Sequence, residues 1–201
     1  MTEDPECLQE GGDVVAATIS PAIVTPSPAP SGHLGTRVRV RQANGRAGVF
    51  ATRRIPAGAE ILSLEGELDP VPTRYSVQLG QHAHLREPTN GPTPSPDTPW
   101  CFLNHACAPN AWVDAAARWL VALRGIRRGE EVTFDYLTTE WEMAEPFECR
   151  CGAEYCRGGI AGFSRLAKEQ QRELLPAVAP HIRALYRRGA RELESLRQVR
   201  S

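Results

Sequence analysis

Phe102-Leu-Asn-His-Ala-Cys-Ala-Pro-Asn110 and Gly129-Glu-Glu-Val-Thr-Phe-Asp-Tyr136 are the two stretches on which the reading of this chain turns. The first places an amide, an imidazole and a thiol on Asn104, His105 and Cys107, just before Pro109. The second carries a β-type run, Glu131 to Tyr136, behind an Arg128-Gly129-Glu130 turn. Taken singly, each residue has a structural explanation: Tyr136 as a core tyrosine at a strand end, Asn104 and His105 as caps of a turn.

A third stretch follows them. Cys149-Arg-Cys151-Gly-Ala-Glu-Tyr-Cys156 has the form C-x-C-x4-C. Cysteines one residue apart cannot readily bond each other without strain, whereas three thiols this dense suit one tetrahedral ion. The alternative is a set of reduced, buried thiols. Zinc takes four ligands, so one must come from elsewhere, and spacing leaves Cys107, Cys101, Cys7 and the histidines open.

Working outward, Thr36-Arg-Val-Arg-Val-Arg41 alternates polar and apolar residues, Asn44-Gly45 is a turn signal, and Ala47 to Thr52 reads as the returning strand. Further short strands are expected at Glu60–Leu64, Tyr75–Leu79, Ala111–Val113 and Arg118–Leu123. Residues 86–99 hold five prolines and should form a loop. His82 and His84, alternating at a strand end, are expected to face solvent. After residue 160 the apolar period becomes helical: Phe163, Leu166, Ala167 and Leu174 share one face, then Val178, Ile182, Leu185, Leu193 and Leu196 beyond Pro176. Residues 1–32 are proline-rich without apolar periodicity and read as a disordered tail.

Composition narrows the classes. The 201 residues carry 23 Lys plus Arg against 24 Asp plus Glu, a formal net charge of -1, so bulk charge gives no reason to expect direct nucleic-acid binding. No apolar run approaches the roughly 18–20 residues of a membrane span, so no membrane partner and a cytoplasmic location are expected, with a nuclear site open. Twenty-two of the 23 basic residues are Arg, Lys168 being the one lysine, a skew that a GC-rich genome explains.

The first two stretches resemble the N-H-S-C-x-P-N and G-E-E-L-T-x-D-Y signatures of SET-domain protein-lysine methyltransferases. The cysteine stretch resembles the post-SET zinc motif that follows them in the same order. Ala47-Gly-Val-Phe-Ala51 with Ile55-Pro-Ala-Gly-Ala-Glu-Ile61 is similar to the family's entry segment. The resemblance runs from about residue 36 to 158. One such motif would be weak; three in order are strong. It implies a β-rich α+β fold: a SET domain of small sheets with a knot-like threaded segment over 33–140, a post-SET zinc motif over 145–160, and a helical extension over 161–201.

The resemblance also implies roles. Cys107 becomes the fourth ligand of one structural zinc ion, with Cys149, Cys151 and Cys156. Tyr136 falls at the catalytic tyrosine. Asn104, His105, Gly48 and, by a looser alignment, Tyr75 fall at positions that hold S-adenosylmethionine, and Phe134 at the position that governs product degree. The implied reaction is methyl transfer to the ε-amine of a lysine on a protein partner. A lysine amine near pKa 10.4 must shed its proton to attack, which desolvation beside a sulfonium favours.

Four positions depart from the family pattern. Arg46 stands in place of the first glycine of G-x-G, Leu64 in place of a tyrosine, Cys101 in place of an arginine and Ala106 in place of a serine. They keep a second reading in play, a catalytically silent zinc-stabilised interaction module. A third is methylation of a small amine or another side chain.

Overall fold

The computed structural model describes residues 37–43, 45–88 and 93–199, with side chains as far as Arg191. The expected tail over 1–32, together with Cys7, Asn44, Leu193 and Leu196, lies outside the described residues or side chains. Among the described residues, no helix is long and apolar enough to cross a membrane.

Alternating Val and Arg residues form the first hairpin. Strands β1 (Val38–Ala43) and β2 (Arg46–Ala51) pair antiparallel from Val38↔Ala51 to Ala43↔Arg46. Gly45 takes φ +76° between them, a left-handed conformation that glycine adopts at little cost. Strand β3 (Glu60–Ser63) lies beside β9 (Trp119–Ala122), which pairs with β8 (Ala111–Asp114). The β8–β9 turn is held by the Asp114 carboxylate, which accepts from the N–H groups of Ala116 and Ala117. A second three-stranded sheet has β6 (Ala83–Arg86) between β4 (Glu67–Asp69) and β5 (Val77–Gly80).

Two two-residue pairings and one single bridge matter more than their length suggests. Strand β7 (Asn104–His105) runs parallel to β10 (Thr133–Phe134), with Thr133 opposite Asn104 and Phe134 opposite His105. A bridge joins Phe50 of β2 to Glu131. Strands β11 (Phe147–Glu148) and β12 (Gly159–Ile160) close the cysteine segment into a hairpin. Both recognised motifs thus meet at one place, floored by a core of Val49, Ile55, Leu64, Leu85, Leu120 and Val132, each at most 1% exposed. Burying a side chain of this size contributes about 2 kcal/mol.

Several expectations shift in detail. The Glu131–Tyr136 run is strand only at Thr133–Phe134, because the Asp135 carboxylate accepts the Leu137 N–H at 3.1 Å and winds Tyr136–Thr138 into a 3-10 turn. Tyr75 precedes its strand: the Thr73 hydroxyl accepts the Tyr75 N–H, and the Ser76 hydroxyl accepts the Thr73 N–H. Trp100 lies in a 3-10 turn over Pro99–Phe102. The helical period over 163–174 is interrupted near its start: Gly162 at φ +110° opens a 3-10 turn over Phe163–Arg165, Leu166 is extended, and helix α1 begins only at Lys168 and runs to Leu174. Helix α2 spans Pro180–Val199, so Val178 precedes it. His84, expected to face solvent, is 6% exposed inside β6 between two neighbouring strands.

The C-terminal elements pack on the turn that follows Tyr136. Ala179 N–H donates to the Thr138 carbonyl at 2.8 Å, and His181 Nε2–H to the Thr139 carbonyl at 2.8 Å. Beneath this junction lies Glu140, whose carboxylate accepts from the Gln78 N–H at 2.8 Å and the Thr139 hydroxyl at 3.1 Å. Burial raises its pKa from the ordinary 4.5 to about 7 against the two hydrogen bonds. The folded state therefore holds a proton that the unfolded chain has released. Its contribution is complete below pH 4.5 and is lost as pH rises through 7. Burial pushes neighbouring His84 and His181 down, which acts in the opposite sense. Subtracting the stability curve of Glu140→Gln from that of the wild type, by denaturant unfolding between pH 5 and 8.5, isolates Glu140. The variant should gain on the wild type by on the order of 2–3 kcal/mol across this range.

Candidate active site and metal centre

Asn110 holds the two motifs together. Its side chain is almost wholly buried, as is the rest of the residue at 2% exposure. Nδ2 donates to the Glu131 carbonyl at 2.7 Å and to Glu130 Oε1 at 3.1 Å, while Oδ1 accepts the Thr133 N–H at 2.9 Å. The end of the first motif is thus stapled along the start of the second. Pairing along β7 and β10 then continues the contact, with Ala106 N–H donating to the Phe134 carbonyl at 3.2 Å.

Because neighbours along a strand point to opposite sides, Asn104 and His105 serve different clusters. Asn104 Nδ2 donates to the Ala47 carbonyl at 2.9 Å and to Glu131 Oε1 at 2.7 Å. Gly48 lines the same spot: a Cβ there would stand 2.6 Å from Glu131 Oε1 and 3.0 Å from Asn104 Nδ2. Glycine keeps this cradle open. Arg46, the residue that departs from the G-x-G pattern, reaches Glu131 Oε2 at 3.4 Å with a half-exposed side chain, so its charge is partly answered there.

His105 points the other way and is fully enclosed. Nδ1 accepts the Tyr136 N–H at 3.2 Å, and Nε2 lies 3.4 Å from Cys107 Sγ. Burial, and then the Arg157 charge, lower its pKa to about 4, so the ring is neutral at physiological pH. Tyr136 hydroxyl donates to the Leu103 carbonyl, and its ring packs against those of Phe134 at 4.9 Å, His105 at 5.4 Å and Phe147 at 6.1 Å. Burial, and then the carboxyl of Glu140, push the phenol upward, which keeps it protonated and suits a hydrogen-bonding group rather than a base. Phe147 also lines a cleft of about 420 Å³ between the β11–β12 hairpin and the turn around Gly162.

Tyr75 stands apart from this cluster. Its ring lies 6.3 Å from Phe102 and beneath Arg74, and it packs on the same core as Tyr136. Leu64 is a core residue at 1% exposure. Cys101 is buried, and burial followed by Glu87 pushes its thiol up to about 12.

The four cysteines Cys107, Cys149, Cys151 and Cys156 converge, their sulfurs all within 4.8 Å of one another. Cys107 Sγ lies 4.0 Å from both Cys149 Sγ and Cys156 Sγ. A tetrahedral ion with Zn–S near 2.3 Å needs sulfurs roughly 3.8 Å apart, so the set can hold one. Burial pushes the Cys107 and Cys149 thiols up, and a cation is what would ionise them. The segment is tied back by Arg157, which donates Nη1–H to Asp135 Oδ2 at 2.9 Å and its backbone N–H to Cys107 Sγ at 3.4 Å.

Sequence reasoning passed over Glu131, Asp135, Phe147 and Arg157. Glu131 and Asp135 sit inside the quoted motif and Arg157 directly follows Cys156, so position was the available signal. Partnered burial was not visible.

Residues 46–137 match the family model described as SET domain, and the chain carries a SET domain over that segment. It is similar to Methyltransferase flvH of Aspergillus flavus, 33% identical over 111 residues, 54% of this chain and 57% of that one. It is similar to Histone-lysine N-methyltransferase ash1 of Drosophila melanogaster, 41% identical over 83 residues, 38% of this chain and 4% of that one. The H3 lysine-36 specific histone-lysine N-methyltransferase of Yarrowia lipolytica is 33% identical over 133 residues, 57% of this chain and 17% of that one. The match therefore spans little over half of one relative and a small part of the others. A crystal structure of KRYPTONITE with mCHH DNA, an H3(1-15) peptide and SAH aligns with TM-score 0.46 and 24% identity, over 61% of this chain and 29% of that one.

Replacing Asn110 by Ala removes three hydrogen bonds and leaves a buried N–H and carbonyl unpaired. Asn110→Ala should cost on the order of 3 kcal/mol in urea unfolding, whereas Asn104→Ala, at a half-buried site, should cost about 1 kcal/mol.

Proposed function

We propose that this chain transfers a methyl group from S-adenosylmethionine to the ε-amine of a protein lysine, with one structural zinc ion on Cys107, Cys149, Cys151 and Cys156. The observation that carries the reading is the placement of Tyr136. Its backbone hangs on His105 and its hydroxyl on Leu103, one strand from the Asn104–Gly48–Glu131 cradle.

S-adenosylmethionine, when bound, supplies an electrophilic methyl on a sulfonium. The protein's share is orientation. Gly48 leaves room for close approach, and Asn104 is fixed by two acceptors so that its remaining amide oxygen has one direction. Tyr136 offers a hydroxyl that stays protonated, and its aromatic neighbours exclude water from the amine. Desolvation lowers the amine's affinity for its proton, and alignment then supplies much of the rate. The four thiolates would hold the β11–β12 segment, with Phe147, against Tyr136. A protein lysine is the proposed acceptor because relatives named for H3 lysine-36 and H3 lysine-4 are 33% identical to this chain over 133 residues and 41% identical over 64 residues. Those names differ in target, so the resemblance supports the chemistry and leaves the target lysine open.

Labelled-methyl transfer to histones and to a lysate, with metal content measured on the same protein, tests this. Wild type should hold one zinc per chain, bind S-adenosylhomocysteine and label a protein band, and Tyr136→Phe should lose about 100-fold in rate while still binding it. Absence of S-adenosylhomocysteine binding by metal-loaded protein would favour the silent module. Transfer confined to small amines would replace the lysine acceptor.

Phe134 is 2% exposed behind Tyr136 and adds no hydroxyl to the channel. The expected products are di- or trimethylated, and Phe134→Tyr should shift them toward monomethyl. Mass spectra showing strictly monomethylated product from wild type at long reaction times contradict this.

A further inference from the structure

We propose that His105 is a positioning residue linking the metal cluster to Tyr136: a neutral imidazole with its proton on Nε2, donating to the Cys107 sulfur and accepting the Tyr136 N–H on Nδ1. The inference rests on the methyl-transfer and zinc reading above and concerns what the imidazole itself does.

The tautomer follows from the partners. A backbone N–H can only donate, so Nδ1, 3.2 Å from the Tyr136 nitrogen, must present its lone pair. A neutral ring then carries its proton on Nε2, which lies 3.4 Å from Cys107 Sγ. Asp135 Oδ1 is the other group facing Nδ1, at 3.5 Å, beyond hydrogen-bond length. Its carboxylate is already engaged: Oδ1 accepts the Leu137 N–H at 3.1 Å and Oδ2 accepts from Arg157 at 2.9 Å. The opposite tautomer would set the Nδ1 proton against the Tyr136 N–H, two donors face to face.

The ring has no freedom to choose otherwise. Its side chain is 0% exposed. Tyr136 and Phe147 meet it edge-on at 5.4 Å and 5.9 Å. At the far end, the Cys107 sulfur receives two N–H groups, from His105 and from the Arg157 backbone at 3.4 Å. Donors of this kind orient a thiolate ligand and moderate its charge. His105 is thus a rigid strut. Where the metal holds Cys107, the strut holds the Tyr136 backbone, and spreading of the thiols on metal loss moves the tyrosine.

Long-range proton–nitrogen correlation NMR on zinc-loaded protein with labelled histidine reads the tautomer directly, with the His105 resonance assigned from a variant. Protonated Nε2 and bare Nδ1 are expected, and the reverse overturns the proposal. Two substitutions then separate the ends. Asn at 105 places an acceptor where Nδ1 sits but falls short of Cys107; Gln places an N–H near Nε2 but offers Tyr136 no acceptor. In cobalt-substituted protein, His105→Asn should move the sulfur-to-cobalt charge-transfer band and weaken metal binding about tenfold, and His105→Gln should leave the band in place. The kcat of His105→Gln should fall roughly tenfold below that of His105→Asn. Equal effects of both variants on band and kcat would also overturn it. Wild-type zinc content and methyl transfer, measured alongside, report on the underlying reading; their failure with an Nε2 tautomer intact would sink that reading and leave the hydrogen-bond assignment standing. Should either variant fail to fold, the wild-type NMR result decides.

Discussion

Four residues, Asn104 and His105 against Thr133 and Phe134, set the register on which the site depends. A strand alternates its side chains, so this register sends Asn104 toward Gly48 and Glu131 and sends His105 toward Cys107. A slip of one residue would exchange them, putting an imidazole in the cradle and an amide beneath the tyrosine. Two pairs of residues are too short to fix register by their own hydrogen bonds. Asn110 does it instead, by binding Glu131 and Thr133 a few residues away, and the Phe50–Glu131 bridge presses the same strand against the first hairpin.

Around this pairing the polar groups are nested. Arg157 answers the buried Asp135 carboxylate, Asp135 caps the turn that presents Tyr136, and the Arg157 backbone reaches Cys107. Buried charges are tolerable where each has a partner, and costly where one partner is removed. The cysteine segment therefore packs on the tyrosine through ion pair, ring contact and sulfur alike. Arg46 and Glu131 form a second, more exposed pair at the mouth of the cradle, where solvent screens it and its energetic worth is small.

The first hairpin, the strands of the β3–β9–β8 sheet and the cysteine spacing were legible because each is encoded locally, by alternation, by a turn dipeptide or by ligand spacing, whereas β4 and β6 carried no such signal. The placing of Cys107 with the other three thiols came through family resemblance, and in the structure the four sulfurs lie within 4.8 Å of one another. What escaped local reading was set by contacts across the chain. Phe163 and Leu166 have helical spacing, yet Phe163–Arg165 makes only a 3-10 turn and Leu166 is extended, so the two do not share one helix. His84 has a solvent-facing pattern, but it lies on the middle strand of its sheet, within electrostatic reach of His181 of α2. Glu140 carries no local signal of burial, and its partner Gln78 is far away in the sequence. Arg46 and Leu64 looked like losses; the first is paired with Glu131 and the second fills the core.

The docking of Ala179 and His181 onto Thr138 and Thr139 has a consequence for how the protein is made. Synthesis proceeds from the N-terminus, and the turn bearing Tyr136 is made before Cys149, Cys151, Cys156 and the helix that pack on it. Until those later residues emerge, Glu140 lacks its cover and Cys107 the three thiols that join it. Contacts this distant in sequence close slowly, which exposes the incomplete sheet to other chains. The order of synthesis thus lets the pairing held by Asn110 form first and leaves the covering of Tyr136 and Glu140 to residues made after it.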